Sequence, residues 1–171
     1  MARLPQVNPE AVPANQRKLV DQIKRERGRV SALYQTLLNS PPVAAGWLHM
    51  GTAVRNEASL NGAIRELVIC RVAQVTGAEY EWQAHSPIAV REGVAQEQLD
   101  ELDRWGESTL FNPQQQAAMA YADQITTVLN ADDETFEAVR KHFNEQETLE
   151  LTVTAAFYNM VSRVLRTLQV H

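Results

Sequence analysis

Apolar residues spaced three and four positions apart dominate this chain of 171 residues. Such spacing places side chains on one face of an α-helix, and that face is then buried against a neighbour. Strands need apolar and polar residues in alternation, and no segment alternates over a useful length. The sequence therefore predicts an all-α protein, a compact multi-helix bundle of about seven helices. The most regular stripe comprises Leu149, Val153, Ala156, Phe157, Met160, Val161, Val164, Leu165 and Leu168.

Glycine, proline and capping residues mark where these helices begin and end. We expect a first helix from about Asn15 to Leu38, weakened or bent at Gly28, since a glycine inside a helix costs about 1 kcal/mol. A later helix should start within Asn112-Pro113-Gln114-Gln115. That run has an N-cap, a proline at the first helical position and a glutamine able to close a capping box.

Two helices are expected in the middle of the chain. One is strongly apolar and runs from Leu60 to Thr76, and the next runs from about Ala78 to Glu92 and ends at Gly93. Because only Gly77 separates them, they should pack side by side as a hairpin. Pro87 lies within the second and removes one helix hydrogen bond, so it either kinks this helix or begins a new one.

Length and composition favour a single soluble domain over residues 1–171. Basic residues are scattered among acidic ones at a formal net charge of −5, which gives no patch for nucleic acid. No apolar stretch approaches the roughly 20 residues that cross a bilayer, so no membrane association is expected. The amino end has no apolar run typical of a secretory signal, and we expect the cytoplasm. Cys70, the single cysteine, has no partner for an intrachain disulfide.

Chemistry-bearing residues concentrate on the two middle helices. Glu66 and Cys70 are four positions apart and share a helix face, as do Glu81 and His85 on the next helix. If these faces meet across the hairpin, the four side chains converge in one apolar pocket. Aromatic surface beside them comes from Tyr80 and Trp82.

A carboxylate in such a pocket needs a partner, because burying its charge alone is costly. An imidazole held at one ring nitrogen by a carboxylate keeps the other nitrogen for acid–base work. Two simpler interpretations stay open. Glu81 and His85 also fit a surface helix pair, and Glu66 fits a structural salt bridge with Arg65 or Arg71.

A family resemblance favours the catalytic interpretation. Arg65-Glu66-Leu67-Val68-Ile69, then Glu79 to His85, Ala89 and Glu92-Gly93-Val94 resemble the core motif of the carboxymuconolactone decarboxylase family. That family includes the alkyl hydroperoxidase D proteins, and weaker similarity covers about residues 35–170. The resemblance implies the alkyl hydroperoxidase D-like helical fold and a homo-oligomer, commonly a trimer or a hexamer.

The peroxidase branch of the family has a Cys-x-x-Cys pair before the histidine and a glutamate upstream. Those cysteine positions correspond to Ala78 and Glu81 here, whereas the glutamate and the histidine correspond to Glu66 and His85. Thiol–disulfide turnover needs a reactive thiolate and a resolving thiol. The sequence therefore excludes a two-cysteine peroxidase, and burial would disfavour the thiolate of Cys70.

What remains resembles the decarboxylase branch, which uses no cofactor. The resemblance implies a lyase of aromatic-compound catabolism that acts on a small carboxylated lactone or related organic acid. His85 would be the general acid or base, with Glu66 or Glu81 as its partner. Residues 1–35, which the short decarboxylases lack, would form an N-terminal arm and helix extension. The expected substrate-binding residues are Tyr80, Trp82, Trp47 and Cys70, although Cys70 also fits a core position.

Three other hypotheses compete with this one. The first is a non-catalytic, small-molecule-binding oligomer of the same fold, and the second is a peroxidase-related antioxidant protein of a non-two-cysteine type. The third is a metal site made by Glu66, Glu81 and His85. Only one histidine lies in that cluster, so no metal site is predicted. His49 would join the site only if its helix turned it inward.

Overall fold

The computed structural model describes residues 2–171, and this part of the chain is helical without strands. Short helical segments lie at Pro9–Ala11 and Leu102–Glu107 (3₁₀) and at Ala53–Glu57 (π). Within the described residues the α-helices are α1 (Ala14–Arg27), α2 (Ala32–Leu37), α3 (Pro41–Thr52), α4 (Gly62–Thr76), α5 (Glu79–Arg91), α6 (Gln96–Asp100), α7 (Pro113–Thr127), α8 (Asp133–Arg140) and α9 (Glu145–Leu168).

The all-α prediction is confirmed, whereas the expected count of about seven helices is wrong. One reason is Gly28, which ends α1 instead of bending a helix from Asn15 to Leu38. Its φ is +75°, a left-handed conformation that glycine adopts without the Cβ clash of other residues. The chain then runs extended through Ser31 before α2 begins.

The chain divides into two compact units, Met1–Glu57 with Val164–His171, and Ala58–Arg163. In the first unit the amino-terminal arm is hydrogen-bonded to other parts of the same unit. The Arg3 amide donates to the carbonyl of Leu168 at 2.9 Å, and the Val7 amide donates to that of Gln35 at 3.0 Å. The assignment of residues 1–171 to one domain, with 1–35 as an extension, stays a prediction.

In the second unit α4 is the central helix. It is apolar on nearly every side and packs against both α5 and α7, as expected of a helix without a polar face. The Asn61 side chain caps its first turn, and Gly77, with a φ of +64°, ends it. The predicted boundaries of this helix and of α5 are confirmed to within two residues.

Two local predictions about proline are also resolved. Pro87 lies inside α5, which continues to Arg91, so Pro87 does not begin a new helix. The capping box at α7 is confirmed: Asn112 Oδ1 accepts from the Gln115 amide at 2.9 Å. The Asn112 amide in turn donates to Gln115 Oε1 at 3.0 Å.

Among the described residues, no helix is long and apolar enough to cross a membrane.

A salt bridge ties α4 to α7. Arg71 Nε and Nη2 donate to Asp123 Oδ1 and Oδ2 at 2.6 and 2.8 Å, and the side chains are only 14% and 23% exposed. Arg71 Nη1 also donates to the carbonyl of Leu102 at 3.1 Å, and the Trp105 indole donates to Asp123 at 3.1 Å. Arg71 therefore serves the packing of this unit and does not pair with Glu66.

We expect Asp123→Asn to lower the free energy of unfolding by about 1.5–3 kcal/mol, because the half-buried guanidinium loses its charged acceptor. The matched control is Asp100→Asn on α6, an exposed position where the change should stay within about 0.5 kcal/mol. Urea denaturation followed by circular dichroism measures both. Equal, small effects in the two variants would contradict a structural role for the bridge.

Candidate active site

Two helices of the hairpin bring a carboxylate and an imidazole together inside the second unit. Glu66 comes from α4 and is 1% exposed, and His85 comes from α5 and is 4% exposed. Glu66 Oε2 lies 2.6 Å from His85 Nδ1, a distance typical of a charge-assisted hydrogen bond. The predicted convergence of these two residues is therefore present in the structure.

Arg65 holds the other oxygen of the same carboxylate. Its Nε donates to Glu66 Oε1 at 3.1 Å, and its Nη2 lies 3.9 Å from Glu92 Oε1. A Cβ at position 62 would collide with the Glu92 carboxylate, so Gly62 leaves room for that group beside Arg65. The salt bridge between Glu66 and Arg65 and the contact with His85 exist together, so the two interpretations are not alternatives.

The pKa of Glu66 reflects this arrangement. Burial raises the pKa of the carboxyl, whereas the hydrogen bond and charge of His85, followed by those of Arg65, lower it. The lowering contributions prevail, and the pKa lies below its ordinary value of 4.5. An ionised Glu66 can only accept a hydrogen bond, so Nδ1 must donate it. The neutral ring of His85 therefore carries its proton on Nδ1 and a lone pair on Nε2.

Two groups face His85 Nε2. Glu81 Oε2 lies 3.5 Å away, and the Tyr158 hydroxyl of α9 lies 3.3 Å away. Glu81 and Tyr158 are 4% and 3% exposed. Glu66 is thus the close partner of the ring, and Glu81 contacts the opposite nitrogen. The geometry shows that Glu66 holds the imidazole at Nδ1 and that Glu81 lies near the opposite nitrogen, Nε2.

Cys70 is fully buried in the apolar core of this unit, beside Leu67, Ala89 and Met119. Burial raises the pKa of its thiol to about 12, with further contributions from the nearby charges of Glu66 and Glu81. The core interpretation of Cys70 is thereby supported. Its expected contact with substrate stays a prediction.

The expected aromatic wall residues have different surroundings. Trp82 is half-buried and packs against the core cluster that contains Cys70. It also lines an open pocket of about 270 Å³ together with Ala73, Gln74, Gly77 and Glu79. Tyr80 is half-buried on α5, whereas Trp47 is buried on α3 of the first unit. Substrate contacts by these three residues stay predictions, and His49 is exposed on α3.

Sequence reasoning missed Tyr158. It lies 73 residues after His85, next to Phe157 of the regular stripe. Tyr158 was not one of the positions of the predicted apolar stripe, and periodicity does not reveal which helix a given position faces. Within residues 2–171, no group of three or more His, Cys, Asp and Glu side chains is arranged to hold a metal ion.

Known proteins share this fold. The sequence model of the carboxymuconolactone decarboxylase family matches residues 41–124. The uncharacterized protein YdfG of Bacillus subtilis (strain 168) is 26% identical over 110 residues, which is 63% of this chain and 75% of YdfG. An uncharacterized peroxidase-related protein with an alkylhydroperoxidase AhpD core, from Ralstonia eutropha JMP134, superposes with a TM-score of 0.84 at 19% identity. That superposition covers 99% of this chain and 91% of the other.

The debrominase Bmp8, as a cysteine-to-alanine variant in complex with 2,3,4-tribromopyrrole, superposes with a TM-score of 0.82 at 16% identity. This superposition covers 100% of this chain and 91% of Bmp8. At these identities the structural matches define the fold alone. They place the chain among the all-helical proteins of the AhpD-like class. Over residues 41–124 the chain is similar to the carboxymuconolactone decarboxylase family, which includes enzymes.

The lowered pKa of Glu66 has a consequence for stability. The ionised Glu66 carboxylate contributes its full stabilisation of the fold above a pH of about 4.5, the ordinary pKa of the group. This contribution is lost as the pH falls through the lowered pKa that Glu66 has in the folded protein. We expect Glu66→Gln to lower the free energy of unfolding by about 1–3 kcal/mol near neutral pH, because buried donors lose a charged acceptor. The difference in the free energy of unfolding between the parent and Glu66→Gln should become smaller as the pH is lowered.

Urea denaturation at neutral and at acidic pH tests this, with Glu97→Gln at an exposed position of α6 as the control. A difference that does not change with pH would show that the charge of Glu66 contributes nothing to folding.

Cys70 should be inert in the folded protein. With a pKa of about 12 the thiolate fraction near pH 8 is about one in ten thousand, and the side chain is fully buried. We expect iodoacetamide to leave the native protein unlabelled and to add one adduct per chain in urea, as counted by mass spectrometry. Rapid labelling of the native protein would mean that this thiol is available for chemistry.

Proposed function

We propose that this protein is a cofactor-independent enzyme in which His85 acts as general acid and base on a small carboxylated lactone or a related organic acid. The reaction would be a lyase-type decarboxylation. One observation carries the proposal: a buried imidazole is held by Glu66 at Nδ1 while its Nε2 faces a second carboxylate, that of Glu81. Assembly into a homo-oligomer, which the resemblance implies, stays a prediction.

The two ring nitrogens of His85 have different environments, and that difference supports acid–base work. Glu66 fixes the orientation and tautomer of the ring through the short contact at Nδ1. The contacts of Nε2 are longer, at 3.3 Å to the Tyr158 hydroxyl and 3.5 Å to Glu81 Oε2. Nε2 is therefore the nitrogen we assign to proton transfer.

Decarboxylation of such a substrate balances without any added oxidant or reductant. The bond between the carboxylate carbon and the ring carbon breaks, carbon dioxide leaves, and the electron pair is delocalised into the substrate's own carbonyl group. The Nε2–H bond of His85 then breaks as the proton forms a new C–H bond. Water returns a proton to the neutral imidazole, and Glu66 stays ionised throughout.

A protonated His85 provides a positive charge for an anionic substrate at Nε2. With Glu66 and Glu81 ionised, the two carboxylates balance this imidazolium and the guanidinium of Arg65, and the partly exposed Glu92 adds a negative charge beside Arg65. A carboxylate brought beside His85 favours the protonated ring, which is the form that donates. Because His85 and its partners are buried, a carboxylate bound beside them is poorly solvated, which favours its loss as carbon dioxide.

We place the approach of substrate along the face of α5 that carries Trp82. The open pocket of about 270 Å³ beside Trp82 lies one helical turn from His85 on α5 and one turn from Cys70 on α4. The indole forms part of the pocket wall and part of the packing around Cys70.

Thiol-based activities fit this site less well. The structural neighbours include a peroxidase-related protein and a debrominase, whose cysteine-to-alanine variant was crystallised in complex with 2,3,4-tribromopyrrole. The single cysteine of this chain is buried and the pKa of its thiol is raised to about 12. A thiol of this kind is a poor nucleophile, which argues against an antioxidant role through Cys70.

We expect His85→Ala to lower the turnover of a carboxylated lactone at least a hundredfold, since a general acid contributes about 10²–10⁴ to the rate. Release of carbon dioxide from a panel of such acids measures turnover, and far-UV circular dichroism checks that the variant is folded. The control is His142→Ala, an exposed histidine whose loss should change neither quantity.

Activity equal to that of the parent in folded His85→Ala would refute the enzyme hypothesis. Thermal stabilisation of the parent by the same acids, with no product formed, would instead favour a non-catalytic binding protein.

A further inference from the structure

Tyr158 makes contacts with His85 that the proposed chemistry has not used. Its hydroxyl oxygen lies 3.3 Å from His85 Nε2. Its ring meets the imidazole edge-on, at a centroid distance of 5.0 Å and an interplanar angle of 84°. Phe157 packs edge-on against the Tyr158 ring at 5.6 Å, and Tyr158 is only 3% exposed. The hydroxyl is thus held against Nε2 by packing on α9.

A hydroxyl and a carboxylate differ in what they offer to Nε2. The Tyr158 hydroxyl can donate one hydrogen bond and also accept, whereas a carboxylate accepts only when it is ionised. In the protonated ring Nε2–H donates, and the hydroxyl can accept from it. In the neutral ring with its proton on Nδ1, Nε2 has a lone pair, and the Tyr158 hydroxyl at 3.3 Å can donate to it.

We propose that Tyr158 is a positioning residue for His85, which keeps Nε2 hydrogen-bonded and aimed in both protonation states. The hydroxyl donates to Nε2 when the ring is neutral and accepts from Nε2–H when the ring is charged. With Glu66 at Nδ1, the imidazole is held at both ends, from α4 and from α9. The catalytic importance of this clamp rests on the proposed function, whereas its existence does not.

The clamp matters most after the ring has given up its proton. A neutral imidazole held only at Nδ1 can swing about that contact, so Nε2 loses its alignment before it is reprotonated. Small misplacements of a catalytic group lower the rate strongly. Loss of the hydroxyl should therefore lower kcat more than it changes KM.

The test compares Tyr158→Phe with Tyr121→Phe. Tyr121 is a matched control because it is also buried, at 5% exposure, and its hydroxyl is likewise hydrogen-bonded to a side chain, at 2.9 Å from Thr152 Oγ1. Protein labelled with ¹⁵N-histidine is studied by NMR at a pH where the His85 ring is neutral. We expect the parent to carry its proton on Nδ1, and Tyr158→Phe to move the Nε2 resonance downfield while the Nδ1–H signal persists.

Tyr121→Phe should leave both His85 resonances unchanged. An Nε2 resonance that does not move in folded Tyr158→Phe would overturn the proposal. The NMR spectrum of the parent is a second test that needs no variant. A neutral His85 ring protonated on Nε2 in the parent would also overturn the proposal, because the Tyr158 hydroxyl could then only accept from Nε2–H.

Turnover separates this inference from the proposed function. With an active parent, we expect kcat of Tyr158→Phe to fall about tenfold, with KM within about twofold, the effect of one lost hydrogen bond to the proton carrier. A parent that releases no carbon dioxide from any acid refutes the proposed function alone, and the NMR result still decides the role of Tyr158. Unchanged kcat beside a moved Nε2 resonance would overturn the positioning role.

Discussion

The contact between Glu66 and His85 is the interaction on which the rest of the site depends. Both side chains are almost fully buried and their atoms lie 2.6 Å apart. Neither polar group has water as an alternative partner at that depth, so each satisfies the other. Arg65 completes the arrangement by pairing with the second oxygen of Glu66. The hairpin of α4 and α5 is therefore held in one register by polar chemistry as well as by apolar packing.

The residues beside this contact set the chain apart from the two-cysteine pattern considered in the sequence analysis. The resemblance implies that the two cysteine positions correspond to Ala78 and Glu81. Ala78 is buried and precedes α5, and Glu81 faces Nε2 of the retained histidine. The group near that nitrogen is thus a carboxylate and not a thiol. Cys70 does not restore the thiol, because it lies in the core with a raised pKa.

Much of the fold was predictable because its signals are local. Capping by Asn112 and Gln115 and the helix end at Gly77 depend on neighbouring residues alone, and both agree with the structure. The interruption at Gly28 was misjudged. Helix propensity tolerates one glycine, and the left-handed turn there is one of two outcomes that the same residue permits. Pro87 shows the reverse, since a helix continued through a residue that often ends one.

By itself the sequence determined the helical class, the hairpin that carries Glu66, Glu81 and His85, and the absence of a second cysteine, because periodicity, spacing and composition act over a few residues. Only the tertiary structure decided that Arg71 bonds to Asp123, that both carboxylates contact the ring of His85 from opposite sides, and that Tyr158 joins them. The contacts of Arg71 with Asp123 and of Tyr158 with His85 join helices far apart in the chain. Their partners are selected by how buried faces pack together, which no local pattern specifies.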